Sequence, residues 1–184
     1  MREAIGMIEL TSVGIGYQVQ DAMLKAADVS LVLARTICSG KYINVVTGRV
    51  AAVEASVAAG LDAAPDGVID SITIANVHPG VFPALAQSVE IADETPGAIG
   101  VVETFSAASI LLAADAAAKA AAVTLFRIHL AMALGGKGFM LMAGTVANCR
   151  TGVDAGAAVA REKGVLVSAV VIPGPSRELF SEYI

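Results

Sequence analysis

The sequence predicts a mixed α/β chain of the α+β type, in which a ferredoxin-like unit is present twice in tandem. Two observations predict it. Segments of the first half recur in the same order in the second half, and each half reads as β-α-β-β-α-β. Such a fold supports many functions, so the function has to be argued from particular residues.

The first two elements follow from apolar spacing. Residues 4–10 alternate between the two faces of a short strand. A helix is predicted over 14–27, because Val19, Ala22 and Ala26 recur at helical spacing.

The remaining elements follow in order. A β-branched run predicts a strand over 29–38, and a glycine turn leads to a strand over 42–47. A second helix is predicted over 49–63 from a stripe of valines, and a last strand over 70–76 precedes a proline-bearing tail.

Four matched segments carry the repeat. The segments at 4–10 and 21–32 read AIGMIEL and DAMLKAADVSLV, and they recur 94 positions later as AIGVVET and DAAAKAAAVTLF. The segments at 39–41 and 47–60 read SGK and TGRVAAVEASVAAG, and they recur 96 positions later as GGK and AGTVANCRTGVDAG. Four matches in one order indicate duplication and fusion.

The change of offset places a two-residue insertion between Phe126 and Gly135. Acidic residues, proline and glycine gather in ADETPG at 92–97, which is typical of a join between domains. We therefore predict one domain at 1–92 and a second at 93–184.

Composition excludes several classes of partner. Charged residues are 16% of the chain, below the roughly 25% of an average domain, which indicates surface buried in an assembly. A net charge of −5 without any basic run argues against nucleic acid. The apolar run 107–126 is interrupted by Asp115 and Lys119, so it predicts a helix and a strand and no membrane partner. The N-terminus lacks a signal-peptide pattern, and two distant cysteines make no disulfide framework, so a cytosolic setting is expected.

The matched segments resemble the bacterial microcompartment shell domain, once in each half. The tandem arrangement is similar to the trimeric class of shell proteins, in which three chains form a pseudohexameric tile. The resemblance implies a homotrimer in the microcompartment shell of the cytoplasm, with other shell proteins as edge-to-edge partners. It also implies that Lys25 and Lys119, which are equivalent in the two repeats, lie at the tile edge.

In that family the glycine turn between the second and third strands lines the central pore. The predicted pore-loop residues are Ser39, Gly40, Lys41, Leu134, Gly135, Gly136 and Lys137. The first loop, TICSGK, resembles that of the iron–sulfur shell protein of propanediol-utilisation microcompartments. The resemblance implies a [4Fe–4S] cluster, with Cys38 as the metal ligand and a redox enzyme at the pore as a further partner.

One thiol per chain suffices if three chains meet on a threefold axis, because three thiolates can hold a [4Fe–4S] cluster with one iron left open. Leu134 stands at the position equivalent to Cys38, so cysteine loops would alternate with apolar loops. An open iron also implies that the cluster is easily lost on purification. Three free thiols around a pore and a redox-sensing thiol remain alternatives, since a lone cysteine is most often a small buried hydrophobe.

The other cysteine, the two histidines and the repeated glutamates are predicted to be structural. Cys149 matches Val53 on the apolar helical stripe, which predicts a core position. Neither His78 nor His129 has a partner at metal-binding spacing, and Glu9 and its equivalent Glu103 have no catalytic partner.

We therefore expect no enzyme. Three functions stay open: a shell tile whose cluster transfers electrons across the shell, a shell tile acting in structure and permeability only, and a ligand-binding oligomeric regulator.

Overall fold

The computed structural model describes residues 3–89 and 96–181. The predicted boundary between the domains at 1–92 and 93–184 lies outside the described residues.

The first repeat follows the predicted order of elements. Its elements are β1 Ala4–Leu10, α1 Val13–Ala26, β2 Val29–Thr36, β3 Tyr42–Gly48, α2 Val50–Ala63, β4 Val68–Ala75 and the short α3 Val81–Leu85. The four strands form one antiparallel sheet in the order β2-β3-β1-β4, which confirms the ferredoxin-like prediction.

The second repeat has the same architecture. Its elements are β5 Ala98–Thr104, α4 Ala107–Ala120, β6 Thr124–Leu130, β7 Gly138–Gly144, α5 Val146–Glu162, β8 Leu166–Pro173 and the short α6 Arg177–Ser181. Its sheet order is β6-β7-β5-β8, again antiparallel throughout. The apolar run 107–126 is therefore a helix followed by a strand, and no helix within 3–89 and 96–181 is long and apolar enough to cross a membrane.

Equivalent serines start the first helix of each repeat. The Oγ of Ser12 accepts the N–H of Ile15 at 3.5 Å, and the Oγ of Ser106 accepts the N–H of Ser109 at 3.0 Å. Each serine thereby satisfies one of the N–H groups that a helix leaves without a partner at its start.

The predicted strand over 29–38 is two residues too long. The strand β2 ends at Thr36, and Cys38–Gly40 forms one turn of 3₁₀-helix. The N–H of Ile37 donates to the carbonyl of Lys41 at 2.9 Å, and Ser39 takes a left-handed φ of 64°. This closed turn removes Cys38 from the strand.

The chain divides into two compact units. One holds the residues up to Val77 together with Met132–Gly136, and the other holds His78–Ala131 with the residues from Lys137 onward. In the first unit, α1 and α2 cover the sheet, and the core includes Ile8, Met23 and Val53. In the second unit, α4 packs against α5, and α3 packs against β6.

Candidate functional site

Cys38 lies on a short, exposed turn. The connection between β2 and β3 is only 37–41, and within it Ser39 and Gly40 are exposed while Cys38 is partly exposed. Gly40 has a φ of 73°, and a Cβ added there would meet no heavy atom within 4 Å. The sequence therefore places the thiol at the apex of a tight turn that opens to solvent.

The equivalent connection in the second repeat, 131–137, is two residues longer and has a different backbone. Four of its residues take positive φ: Ala131 at 52°, Ala133 at 60°, Gly135 at 63° and Gly136 at 90°. Left-handed residues placed among ordinary ones turn successive N–H groups toward one side, which makes a concave binding surface for an anion. The two-residue insertion that the sequence predicted lies in this loop.

The structure brings the two loops together in the first compact unit. The backbone N–H of Gly136 lowers the pKa of the Cys38 thiol, burial opposes this, and the N–H groups of Leu134, Gly135 and Ala133 lower the pKa further. The net effect is a pKa below the ordinary thiol value. The thiolate is the form that binds metals and acts as a nucleophile. The loop of the second repeat therefore favours this form of the cysteine in the first repeat.

Cys149 has the opposite environment. It is fully buried on α5, its Sγ lies 3.5 Å from the carbonyl oxygen of Ala98, and burial raises its pKa although the N–H of Gly100 lowers it. The prediction that Cys149 belongs to the core is confirmed.

Each predicted pore-loop lysine forms an ion pair with a carboxylate of its own repeat. The Nζ of Lys41 lies 2.9 Å from Oε1 of Glu9, and the Nζ of Lys137 lies 2.6 Å from Oε1 of Glu103. Glu103 also accepts the hydroxyl of Ser168 at 3.2 Å. These pairs were not predicted from the sequence, although a signal was present: both the glutamate and the lysine recur in the second repeat.

The predicted tile-edge lysines also have partners at equivalent positions. The Nζ of Lys25 lies 2.6 Å from Asp21, and the Nζ of Lys119 lies 2.6 Å from Asp115. The first pair is exposed, whereas the Asp115 side chain is only 10% exposed and also accepts the N–H of His78 at 2.7 Å.

The two histidines take part in local contacts. The Nδ1 of His78 accepts the N–H of Gly80 at 3.2 Å, and the ring of His129 stacks on Phe139 with centroids 5.1 Å apart. Among the described residues, no three His, Cys, Asp or Glu side chains lie close enough to hold a metal ion within one chain.

Comparison with known proteins agrees with this architecture. Residues 4–77 and 98–175 match the model of the BMC domain family, so each repeat matches once. Over all 184 residues, the chain is 41% identical to the bacterial microcompartment shell protein PduT of Citrobacter freundii, of which it covers 99%. It is also 42% identical over 87 residues to the carboxysome shell protein CsoS1C of Hydrogenovibrio crunogenus, covering 45% of this chain and 84% of that relative.

Solved structures are similar over most of the chain. A microcompartment protein from Desulfitobacterium hafniense superposes with a TM-score of 0.92 at 43% identity, covering 98% of this chain and 99% of that one. The fused permuted hexameric shell protein MSM0275 of the RMM microcompartment superposes with a TM-score of 0.64 at 24% identity, covering 87% and 82%, which is a likeness of fold.

Proposed function

The chain belongs to the BMC domain family of bacterial microcompartment shell proteins, and on that premise we propose that it is a shell tile carrying a [4Fe–4S] cluster for electron transfer. Family membership gives its location, the shell of a microcompartment in the cytoplasm. The proposed assembly is a homotrimer in which Cys38 of each copy holds the cluster on the central threefold axis.

The observation that carries the proposal is the environment of Cys38. Its thiol is partly exposed at the apex of a turn, and the N–H groups of 133–136 lower its pKa. Cluster ligands are thiolates, so a thiol poised to lose its proton fits this role. Cys149 does not fit it, because its side chain is buried in the core.

The residues around Cys38 also fit an anionic group. Lys41 is paired with Glu9, so its charge is largely balanced within the chain. Backbone N–H groups of 133–136, in contrast, carry no such countercharge and stabilise negative charge on sulfur. We therefore assign the electrostatic support of the site to these N–H groups rather than to Lys41.

A symmetric trimer explains why one cysteine per chain is enough. Leu134 stands where the second repeat would carry its cysteine, so three copies bring three thiolates together instead of six. When bound, the cluster would supply one-electron chemistry at the pore. The partners in this proposal are other shell proteins, joined edge to edge through Lys25 and Lys119, and a redox enzyme at the pore.

The test is anaerobic reconstitution with iron and sulfide, performed on the wild type, Cys38→Ser and Cys149→Ala. The wild type and Cys149→Ala should become brown and hold one cluster per three chains, and Cys38→Ser should hold none. Electron paramagnetic resonance of the reduced protein identifies the cluster type.

A trimeric wild type that stays colourless under these conditions would overturn the cluster and support a tile acting in structure and permeability only. The ligand-binding regulator would require that the protein form no sheets of tiles by electron microscopy. Membership of the shell family favours both tile functions over the regulator.

A further inference from the structure

The second repeat takes part in the site around Cys38 without supplying a ligand. Its connection between β6 and β7 is the loop 131–137, and Met132–Gly136 of this loop belongs to the same compact unit as Cys38. The position of the loop that is equivalent to Cys38 is Leu134, whose side chain has no atom that binds a metal. The loop can therefore act on the site only through its main chain.

The main chain of this loop directs N–H groups at one sulfur. Ala133, Gly135 and Gly136 are left-handed, with φ of 60°, 63° and 90°. The N–H of Gly136 lowers the pKa of the Cys38 thiol most, burial opposes it, and the N–H groups of the three preceding residues lower the pKa further. Consecutive N–H groups that converge in this way form a concave surface that favours negative charge.

The turn that carries Cys38 does not supply these donors itself. Within the described part of the chain, the N–H groups that lower the pKa of its thiol belong to 133–136. The N–H of Ile37 is used to close the turn, since it donates to the carbonyl of Lys41 at 2.9 Å. The cysteine of one repeat thus depends on the longer loop of the other repeat for its hydrogen-bond donors.

We propose that the loop 131–137 sets the reduction potential of the cluster and holds it above the value that three Cys38 thiolates alone would give. One-electron reduction adds one negative charge to the irons and their sulfurs, and N–H groups directed at a ligand sulfur stabilise that charge. The reduced form is therefore stabilised more than the oxidised form, and the potential rises. This inference rests on the cluster of the proposed function, and it gives the repeat without a ligand a part in electron transfer.

Threefold symmetry makes the effect of the loop easier to measure. Each chain carries its own loop in the same compact unit as its own Cys38, so the three ligand sulfurs of a trimer would receive the same set of donors. One substitution in the loop consequently changes the donors of all three sulfurs at once.

Glycines of the loop allow a test that leaves every side chain of the site in place. A Cβ added to Gly136 or Gly135 would meet no heavy atom within 4 Å, so a substitution there acts through the backbone alone. Valine strongly disfavours a left-handed φ, so Gly136→Val should turn its N–H away from Cys38. Gly164→Val is the matched control, because Gly164 has a φ of 69°, an equally open Cβ position and an N–H that donates to the carbonyl of Arg161.

The experiment is an anaerobic redox titration of the reconstituted proteins, followed by electron paramagnetic resonance of the reduced cluster. Gly136→Val should have a lower reduction potential than the wild type. Gly135→Val should show a smaller decrease, because the N–H of Gly135 contributes less than that of Gly136. Gly164→Val should keep the wild-type potential. Circular dichroism and iron analysis check that each variant is folded and holds one cluster per three chains.

The outcomes separate this inference from the proposed function. A wild type that binds no cluster would overturn both. A wild type with a cluster, whose potential is unchanged in the two loop variants, would overturn the role of the loop alone, and so would an equal decrease in Gly164→Val. If both loop variants fold but bind no cluster, the loop is needed for binding rather than for the potential, and the inference is again overturned.

Discussion

The two repeats pack the same helix against the same strand with large and small residues exchanged. In the first repeat, Gly16 on α1 faces the ring of Tyr42, and a Cβ added to Gly16 would lie 2.4 Å from Cγ of that ring. In the second repeat the sizes are exchanged: Ile110 occupies the helix position, and a Cβ added to Gly138 on β7 would lie 2.7 Å from its Cγ2. The space between helix and strand is filled in both repeats, by Tyr42 from the strand in the first and by Ile110 from the helix in the second. Because each large side chain needs a glycine opposite it, the two positions must have diverged as a pair.

Exchanging these sizes in the first repeat tests the pairing. Gly16→Ile alone should lower the free energy of unfolding by about 3 kcal/mol through overpacking. Tyr42→Gly alone should lower it by about 4 kcal/mol through the cavity that it leaves. The double variant should lose only about 1–2 kcal/mol, mostly because glycine weakens a strand.

Urea unfolding at one fixed protein concentration gives these values. The reciprocal exchange, Ile110→Gly with Gly138→Tyr, is the matched control in the second repeat. Additive losses in the double variant would show that the two positions are not coupled.

Most of the fold could be predicted from local pattern and repetition. The first strand was predicted at its observed bounds, 4–10, and the predicted helix at 14–27 is observed at Val13–Ala26. Such signals are local, because apolar residues at a fixed spacing define which side of an element is buried. The end of β2 was predicted wrongly, because a β-branched run does not reveal that Ser39 turns left-handed.

The support of Cys38 could not be predicted, because it comes from distant residues. The two-residue insertion was visible in the sequence, but its consequence depends on the backbone of Ala133–Gly136 and on where that backbone meets the turn. Backbone N–H groups leave no residue-type signature. The offset of 98 at the last strand also needed the structure, because the matched sequence segments extend only to offsets of 94 and 96.

The loop lysines offer a comparison between more and less buried ion pairs. The Glu9 side chain is 6% exposed and that of Glu103 is 22% exposed with a second donor, Ser168. Lys41→Met should therefore lower the free energy of unfolding by about 2–3 kcal/mol, and Lys137→Met by about 1 kcal/mol. A carboxylate that loses its cation destabilises the fold more when it is more deeply buried.

Thermal unfolding of both variants measures the difference. Adding Glu9→Gln to Lys41→Met should restore part of the loss, because a neutral amide costs less to bury than a carboxylate without a cation. Equal losses in the two single variants would contradict the ranking.

The two cysteines should differ in how pH controls their alkylation by iodoacetamide. In metal-free Cys149→Ala, the rate at Cys38 should rise with pH and level off with a midpoint below the ordinary thiol value of about 8.5, because the N–H groups of 133–136 favour the thiolate. In folded Cys38→Ser, Cys149 should react only as fast as the protein opens, since burial raises its pKa and excludes the reagent. Denatured protein, in which both thiols behave alike, is the control. A Cys38 midpoint at or above that of the denatured chain would show that the folded protein does not stabilise the thiolate.

The smallest expected difference in stability separates variants of the two predicted tile-edge lysines. Lys25→Ala should change the free energy of unfolding by less than about 0.5 kcal/mol, because the Lys25–Asp21 pair is exposed. Lys119→Ala should lower the free energy of unfolding by about 1 kcal/mol. The mostly buried Asp115 accepts from Lys119 and from the N–H of His78, and of these two donors it would keep only the N–H. Sheet formation by electron microscopy separates stability from assembly. If Lys25 lies at the tile edge, Lys25→Ala should abolish sheets while the trimer and its unfolding midpoint stay unchanged, and sheets that persist would reduce Lys25 to an ordinary solvated lysine.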